Sequence, residues 1–312
     1  MVSPTWLVTG AHGMLGQDLL RRLAATGNEA VGVGRGELDI TRREAVRTAI
    51  VRLRPAVVVN CAAWTDVDSA ESHEAEAHAV NGDAPHHLAA ACRESGALLL
   101  QISSDYVFSG DSERPYTETD RTAPRTAYGR TKLAGEQAVV STLPDAGYVV
   151  RTAWLYGAGG GNFVRTVIAL EAREETLDIV DDQRGQATWT ADLADRLVQL
   201  GTSALAGTAP PGVYHGTSAG DGTWYDLARE VFLHLGADPA RVRPTTTRAF
   251  PRPAPRPAYS VLSHGRWRVA GVPPIRDWHS ALTAAFPALH TAGDHHSPIS
   301  PISPISPIRL RR

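Results

Sequence analysis

The chain has 312 residues, 43% hydrophobic and 21% charged, a balance that fits one large or two small soluble globular domains. Its formal net charge of −2 gives no electrostatic case for binding nucleic acid or an anionic membrane. No apolar run approaches the ~20 residues that span a bilayer. Residues 1–6 lack a charged leader region, so no signal peptide is read and a cytoplasmic location is expected. Cys61 and Cys92 are the two cysteines and have no metal-ligand spacing, so they read as reduced core thiols. The twelve histidines include no His-Glu-x-x-His pattern, and no metal is expected.

The first predicted strand covers residues 6–9. It runs into Gly10-Ala11-His12-Gly13-Met14-Leu15-Gly16, and the following helix carries Leu15, Leu19, Leu20 and Leu23 at helical spacing. A strand, three glycines three residues apart and a helix make a dinucleotide-binding turn. Gly10 permits the tight turn, Gly13 lets backbone approach a pyrophosphate, and Gly16 lets helix pack on strand. The helix N-terminus adds partial positive charge for the phosphates. His12, Met14 and Leu15 are counted with this turn as cofactor contacts.

Residues 30–33 read as the second strand, ending in Gly34-Arg35-Gly36. An acidic residue here would hold two free ribose hydroxyls. Arg35 instead suits a 2′-phosphate, which favours NADPH, with NADH as the alternative. Asp39 and Ile40 follow as adenine contacts, and Thr41 as a helix cap. Residues 57–60 form a third strand that reads as fully buried. It leads into Cys61-Ala62-Ala63-Trp64-Thr65, whose small side chains let a cofactor lie against backbone. A helix over 84–94 stops at Gly96. A fourth strand, 97–102, delivers Ser103 and Ser104 to the sheet edge. Strand and helix in alternation predict an α/β fold with a doubly wound parallel sheet, its ligands outside the strand C-termini.

A loop broken by Pro115 and Pro124 precedes a helix over 127–140 that carries Tyr128 and Lys132 on one face. A phenol beside an ammonium is a proton donor suited to a carbonyl. The cation is expected to draw the tyrosine down from its ordinary pKa near ~10, towards the range where acid–base catalysis works. The Ser104 hydroxyl is placed to hold the same carbonyl oxygen. Alone, Tyr-x-x-x-Lys is most often a surface pair; the elements before it give it weight.

A strand over 148–152 leads to Trp154, a glycine-rich stretch over 157–161, and Asn162-Phe163 at a helix start. Beyond it the alternation fades. The polar loop 181–186, with Gln183, is expected to contact substrate, and Thr223 to cap a helix over 224–235. Arg256, in the proline- and arginine-rich stretch 248–257, is a candidate for a diphosphate. The domain reading is 1–152 for the dinucleotide-binding domain, with elements from about 190–216 interleaved, then 153–287 for a smaller substrate lobe. Residues 297–308 repeat Ser-Pro-Ile four times. Regular prolines forbid helix and ladder pairing, so 288–312 is read as a disordered tail, dispensable after about His295.

The glycine turn, Leu38-Asp39-Ile40-Thr41, Ser103-Ser104-Asp105-Tyr106-Val107-Phe108 and Tyr128-Gly129-Arg130-Thr131-Lys132 together resemble the extended short-chain dehydrogenase/reductases, in their dTDP-4-dehydrorhamnose reductase branch. Residues 151–157 and 256–262 carry the same likeness. The resemblance implies that Ser104, Tyr128 and Lys132 are the catalytic trio and that Lys132 also holds the nicotinamide ribose. It implies that Ala62, Ala63 and Thr65 lie along the cofactor and that Trp154 packs on a deoxysugar, beside Asp105. The implied reaction is NADPH-dependent reduction of the C4 ketone of dTDP-4-dehydro-6-deoxy-L-mannose to dTDP-L-rhamnose. Where the family often has threonine, proline, asparagine and aspartate, this chain has Ser104, Ala187, Tyr259 and Ser263. Three of these lie in the expected substrate lobe, so the alternatives are a dihydrostreptose-type or antibiotic 4-keto-deoxysugar. From other classes come an epimerase or dehydratase on the same scaffold and a non-catalytic nucleotide-binding regulatory subunit. The oligomeric state is open, a homodimer included.

Overall fold

A computed structural model describes residues 5–291 and 308–309. Its centre is a six-stranded sheet in the order Gly212–His215, Gly147–Thr152, Leu98–Ser104, Val57–Asn60, Trp6–Thr9, Ala30–Val33. Every neighbouring pair is parallel. Such a sheet must be covered on both faces, and the sequence supplies this by alternation. Trp6, Val8, Val57 and Val59 face one core, shared with Leu15 and Leu19 of the helix Met14–Ala25 and with Leu193 and Leu197 of Thr190–Leu205. Leu7, Val58, Leu99 and Val149 face the other, with Val46, Ile50 and Leu88.

Local chemistry sets the element ends. Gly96 stops the helix Ala84–Ser95 in the left-handed conformation, at φ 75°. Thr126 starts the helix Ala127–Thr142 by accepting the Gly129 N–H. Thr223 and Asp226 form a reciprocal capping box on Trp224–His234. Thr41 caps no helix: its hydroxyl and N–H both go to Asp39 Oδ1, at 2.7 and 3.0 Å, and Arg42 stands at the N-cap instead.

A second core lies beyond the sheet's C-terminal edge, built on Val164, Val167, Leu177, Ile179, Leu227, Phe232, Trp278 and Leu282. There the strand Leu177–Val180 pairs in parallel with Val242–Thr245. On its other side it pairs antiparallel with Ile308–Arg309.

That pairing corrects the expectation of a wholly disordered tail. The helix Trp278–Thr291 already runs past residue 288. Ile308 is 3% exposed and belongs to the second core. It follows the last proline of the repeat, so its own N–H remains available to the ladder. The rest of the repeat and His295-His296 lie outside the described residues. Burying an isoleucine is worth about 1.5–3 kcal/mol. Ile308→Asp should therefore lower Tm by roughly 3–8 °C in a thermal melt; an unchanged Tm would restore the dispensable-tail reading.

Candidate active site

Two cavities meet at the C-terminal edge of the sheet. The first, about 490 Å³, is lined by Gly10, Gly13, Met14, Leu15, Gly16, Arg35, Asp39, Ile40, Ala62, Ala63, Thr65, Tyr128 and Lys132. The sequence-read cofactor residues thus share one wall, His12 excepted. Its ring is exposed and lies 3.6 Å from Glu37, while its carbonyl accepts from Gln17.

The glycines account for the shape of this cavity. A Cβ on Gly10, at φ 67°, would fall 2.6 Å from the Ala62 nitrogen, and one on Gly16 2.3 Å from the Gly10 carbonyl oxygen. A Cβ on Gly13 would meet only the Gly10 oxygen, at 3.3 Å, so this position stays open to a ligand. No side chain caps the helix that starts after Gly13, which leaves first-turn N–H groups for an anion. Exposed Arg35 lies at the other end of the same cavity, where its charge helps hold the Asp39 carboxyl below the ordinary range after the two Thr41 hydrogen bonds. The residues present fit a dinucleotide with a ribose phosphate.

The second cavity, about 320 Å³, is lined by Ser104, Asp105, Tyr106, Trp154, Asn162, Phe163, Gln183, Trp224, Phe250, Arg252 and Arg256, among others. Tyr128, Ser103, Thr65, Met14, Thr152 and Leu155 line both cavities. Tyr128 therefore stands at the junction, with Lys132 on one side of it and Ser104 on the other.

The electrostatics differ from the sequence expectation. Lys132 is 4% exposed, and its Nζ donates to the Ile102 carbonyl at 2.6 Å. Burial pushes this ammonium down to about 8, against the opposing pull of Glu136. Tyr128 is pushed up to about 12 by burial, only partly offset by the Ser104 hydroxyl. Lys132 does not enter the balance at the phenol. Tyr128 is thus firmly protonated, and in this arrangement it is an acid, not a ready base.

Ser104 donates to Asp105 Oδ1 at 2.9 Å and accepts the Tyr106 N–H at 3.2 Å, so its proton is not turned to a ligand carbonyl. The thiols of half-buried Cys61 and buried Cys92 are both pushed up to about 12 by desolvation, which keeps them protonated at neutral pH.

On the substrate side, the ring of Trp154 stacks on Trp224, with centroids 3.7 Å apart and planes 14° from parallel. Phe163 packs on Trp224 in turn. Trp154 holds φ 45°, an unfavourable conformation for a bulky residue that its packing must sustain. Gln183 accepts from Trp224 Nε1 and donates to Thr247, so it anchors the stack. Asn162 caps the helix Phe163–Glu171 and donates to the Gly157 and Gly160 carbonyls.

Arg256 was read as a diphosphate ligand. Its side chain is 8% exposed and is held by Asp68 at 2.9 Å and by the Ala254 carbonyl. Arg252 on the same wall is 24% exposed, lies over Phe250 and pairs with the same Asp68 at a longer 4.0 Å, so it is the more open of the two cations to an anionic ligand. Sequence reading missed Arg252, Trp224, Phe250, Tyr106 and Val67 as cavity residues. Two of them had a signal: Arg252 in the basic stretch around it, and Tyr106 in the motif over 103–108.

Comparison with known proteins agrees with this geometry. Residues 5–291 match the family described as RmlD substrate binding domain. A dTDP-4-dehydrorhamnose reductase of Streptomyces griseus is 63% identical over 286 residues, 92% of this chain and 94% of that protein. A probable dTDP-4,6-dihydroxy-2-methyloxan-3-one 4-ketoreductase of Streptomyces antibioticus is 56% identical over 288 residues, 92% of this chain and 96% of that one. Among solved structures, the dTDP-4-dehydrorhamnose reductase of Bacillus anthracis in complex with NADP superposes with a TM-score of 0.86. It is 34% identical and covers 91% of this chain and 99% of its own.

A test of the aromatic wall follows from Gly185, where a Cβ would lie 2.6 Å from Trp154 Cζ2. Gly185→Ala should displace the indole, change the tryptophan fluorescence and raise the substrate KM roughly tenfold, ~1.4 kcal/mol. Unaltered fluorescence and KM would mean that the stack does not depend on this glycine.

Proposed function

The chain belongs to the RmlD substrate binding domain family, and we propose that it is an NADPH-dependent reductase that converts the C4 ketone of dTDP-4-dehydro-6-deoxy-L-mannose to the alcohol of dTDP-L-rhamnose. The observation that carries the reading is the junction. Tyr128, a buried phenol held protonated, stands where the dinucleotide-shaped cavity opens into the aromatic one. The bound cofactor supplies hydride; this chain supplies the proton and the alignment.

In this reading the N–H groups after Gly13 and the guanidinium of Arg35 hold the phosphates. Ala62, Ala63 and Thr65 line the cofactor's path, and Lys132 takes the nicotinamide ribose. The Trp154 face covers the apolar side of a 6-deoxy sugar, and Arg252 meets the diphosphate. The ketone oxygen lies between Ser104 and Tyr128, and Tyr128 Oη protonates it as charge develops. The two unpaired thiols suit a cytoplasmic protein.

A second sugar is supported by one observation. Tyr259, where the family often has asparagine, pairs through its backbone with Asp111 and Arg184, and the residue after Arg184, Gly185, sits against Trp154. A related nucleotide-linked 4-keto-deoxysugar is therefore the competing substrate, and the relative named as a 4-ketoreductase of another dTDP-sugar fits that alternative.

The test is NADPH absorbance with a panel of nucleotide-linked 4-ketosugars, the product configuration being read by NMR. Highest kcat/KM on the rhamnose precursor is expected; faster turnover of another sugar would reassign the substrate. Tyr128→Phe should lower kcat roughly 10²–10⁴-fold while NADPH still binds; near-normal turnover would require another acid. Arg35→Ala should weaken NADPH by ~1.5–3 kcal/mol and leave NADH little changed. Equal losses for the two cofactors would remove the 2′-phosphate role.

A further inference from the structure

Asp105 is the buried ionisable group at this site that the reaction has not used. It is 2% exposed and lines the aromatic cavity. Oδ1 accepts from Ser104 Oγ, and Oδ2 makes no hydrogen bond of ordinary geometry among the described residues, with the Ser260 hydroxyl as the side-chain donor close enough to lower the carboxyl's pKa. Among the described residues no cation pairs with the carboxyl, and Arg252 of the same cavity lies 4.0 Å from Asp68 instead. Lys132 is turned to the Ile102 carbonyl, Arg256 is held by Asp68 and the Ala254 carbonyl, and Arg151 is held by Glu136. The other groups around it are uncharged: the Tyr106 and Tyr128 phenols and the Ser104 and Ser260 hydroxyls.

An ionised carboxylate with a bare buried oxygen is costly; a neutral acid leaves only a carbonyl oxygen unbonded, a smaller penalty. Proton counting points the same way. Ser104 has one proton. While Asp105 is ionised, that proton is drawn to Oδ1, and Ser104 offers the ketone only lone pairs.

We propose that Asp105 works as a neutral carboxylic acid that donates a hydrogen bond to Ser104 Oγ, which frees the serine proton to turn to the substrate carbonyl oxygen. Asp105 is then a positioning residue that acts through Ser104, and the inference rests on the ketoreductase reading above. No covalent bond changes at either residue: Asp105 keeps its proton throughout, and Tyr128 supplies the one the ketone oxygen takes up. Other enzymes likewise keep a carboxylic acid neutral in an apolar site so that it can donate a hydrogen bond. Burial supports the assignment by pushing this carboxyl up to about 6, against the lowering effect of Ser260 and Ser104.

The test compares wild type, Asp105→Asn and Ser104→Ala across pH. An amide keeps its donor at every pH. The ratio of Asp105→Asn to wild-type kcat/KM should therefore climb about tenfold per pH unit above the carboxyl's pKa. Ser104→Ala should be slower at all pH and lack that limb. A wild-type minus Asp105→Asn infrared spectrum should show a protonated-carboxyl C=O band that disappears as pH rises. A pH-independent ratio, or an ionised Asp105 throughout the active range, would overturn the proposal while the wild type still turns over. A wild type that oxidises NADPH with no ketosugar would instead sink the ketoreductase reading, and the infrared band would still report the state of Asp105.

Discussion

One charge-assisted hydrogen bond, from Lys132 Nζ to the Ile102 carbonyl at 2.6 Å, ties the helix Ala127–Thr142 to the strand that ends in Ser103 and Ser104. The contact is close because the helix has no side chains where backbone intervenes. A Cβ on Gly129 would fall 2.2 Å from the Tyr106 carbonyl oxygen, and one on Gly135 2.1 Å from that of Asn81. One turn beyond Lys132, Glu136 reaches back to the sheet. It pairs with Arg151 at 2.7 Å, both side chains being 4% exposed. Breaking such a buried pair from one side typically costs about 3–5 kcal/mol. The position of Tyr128 is thus fixed by contacts along the two helical turns that follow it.

The same closeness sets the electrostatics. Dense packing removes water, and desolvation is the largest influence on Tyr128, Lys132 and Asp105 alike. Each is driven toward its neutral form. A protonated phenol suits a ketone whose oxygen becomes negative only as reaction proceeds, since a donor aimed at developing charge favours the transition state over the ground state.

The sheet was legible because its signals are local. Val57-Val58-Val59 reads as a strand buried on both faces, and the glycine turn declares its ligand class by the absence of side chains. Tyr128 and Lys132 were legible as a pair because helical spacing is fixed by geometry. Their pKa values were not, since desolvation depends on packing that spacing does not encode. The Trp154–Trp224 stack joins residues 70 positions apart in sequence, and nothing near Trp224 marks it as part of a cavity. Arg256 looked available in the sequence because its partner, Asp68, lies 188 positions away. Ile308 escaped notice because the repeat before it has the composition of a disordered segment.

The central claim is that hydride is delivered to a sugar carbon across the junction that Tyr128 occupies. The direct measurement uses NADPH deuterated at the nicotinamide C4, with dTDP-4-dehydro-6-deoxy-L-mannose as acceptor and NMR of the sugar product. Each face of the nicotinamide is labelled in turn. Deuterium from one face only should appear at C4 of the sugar, with none transferred from the other. Product formed without label at C4, or with label washed into solvent, would contradict the account.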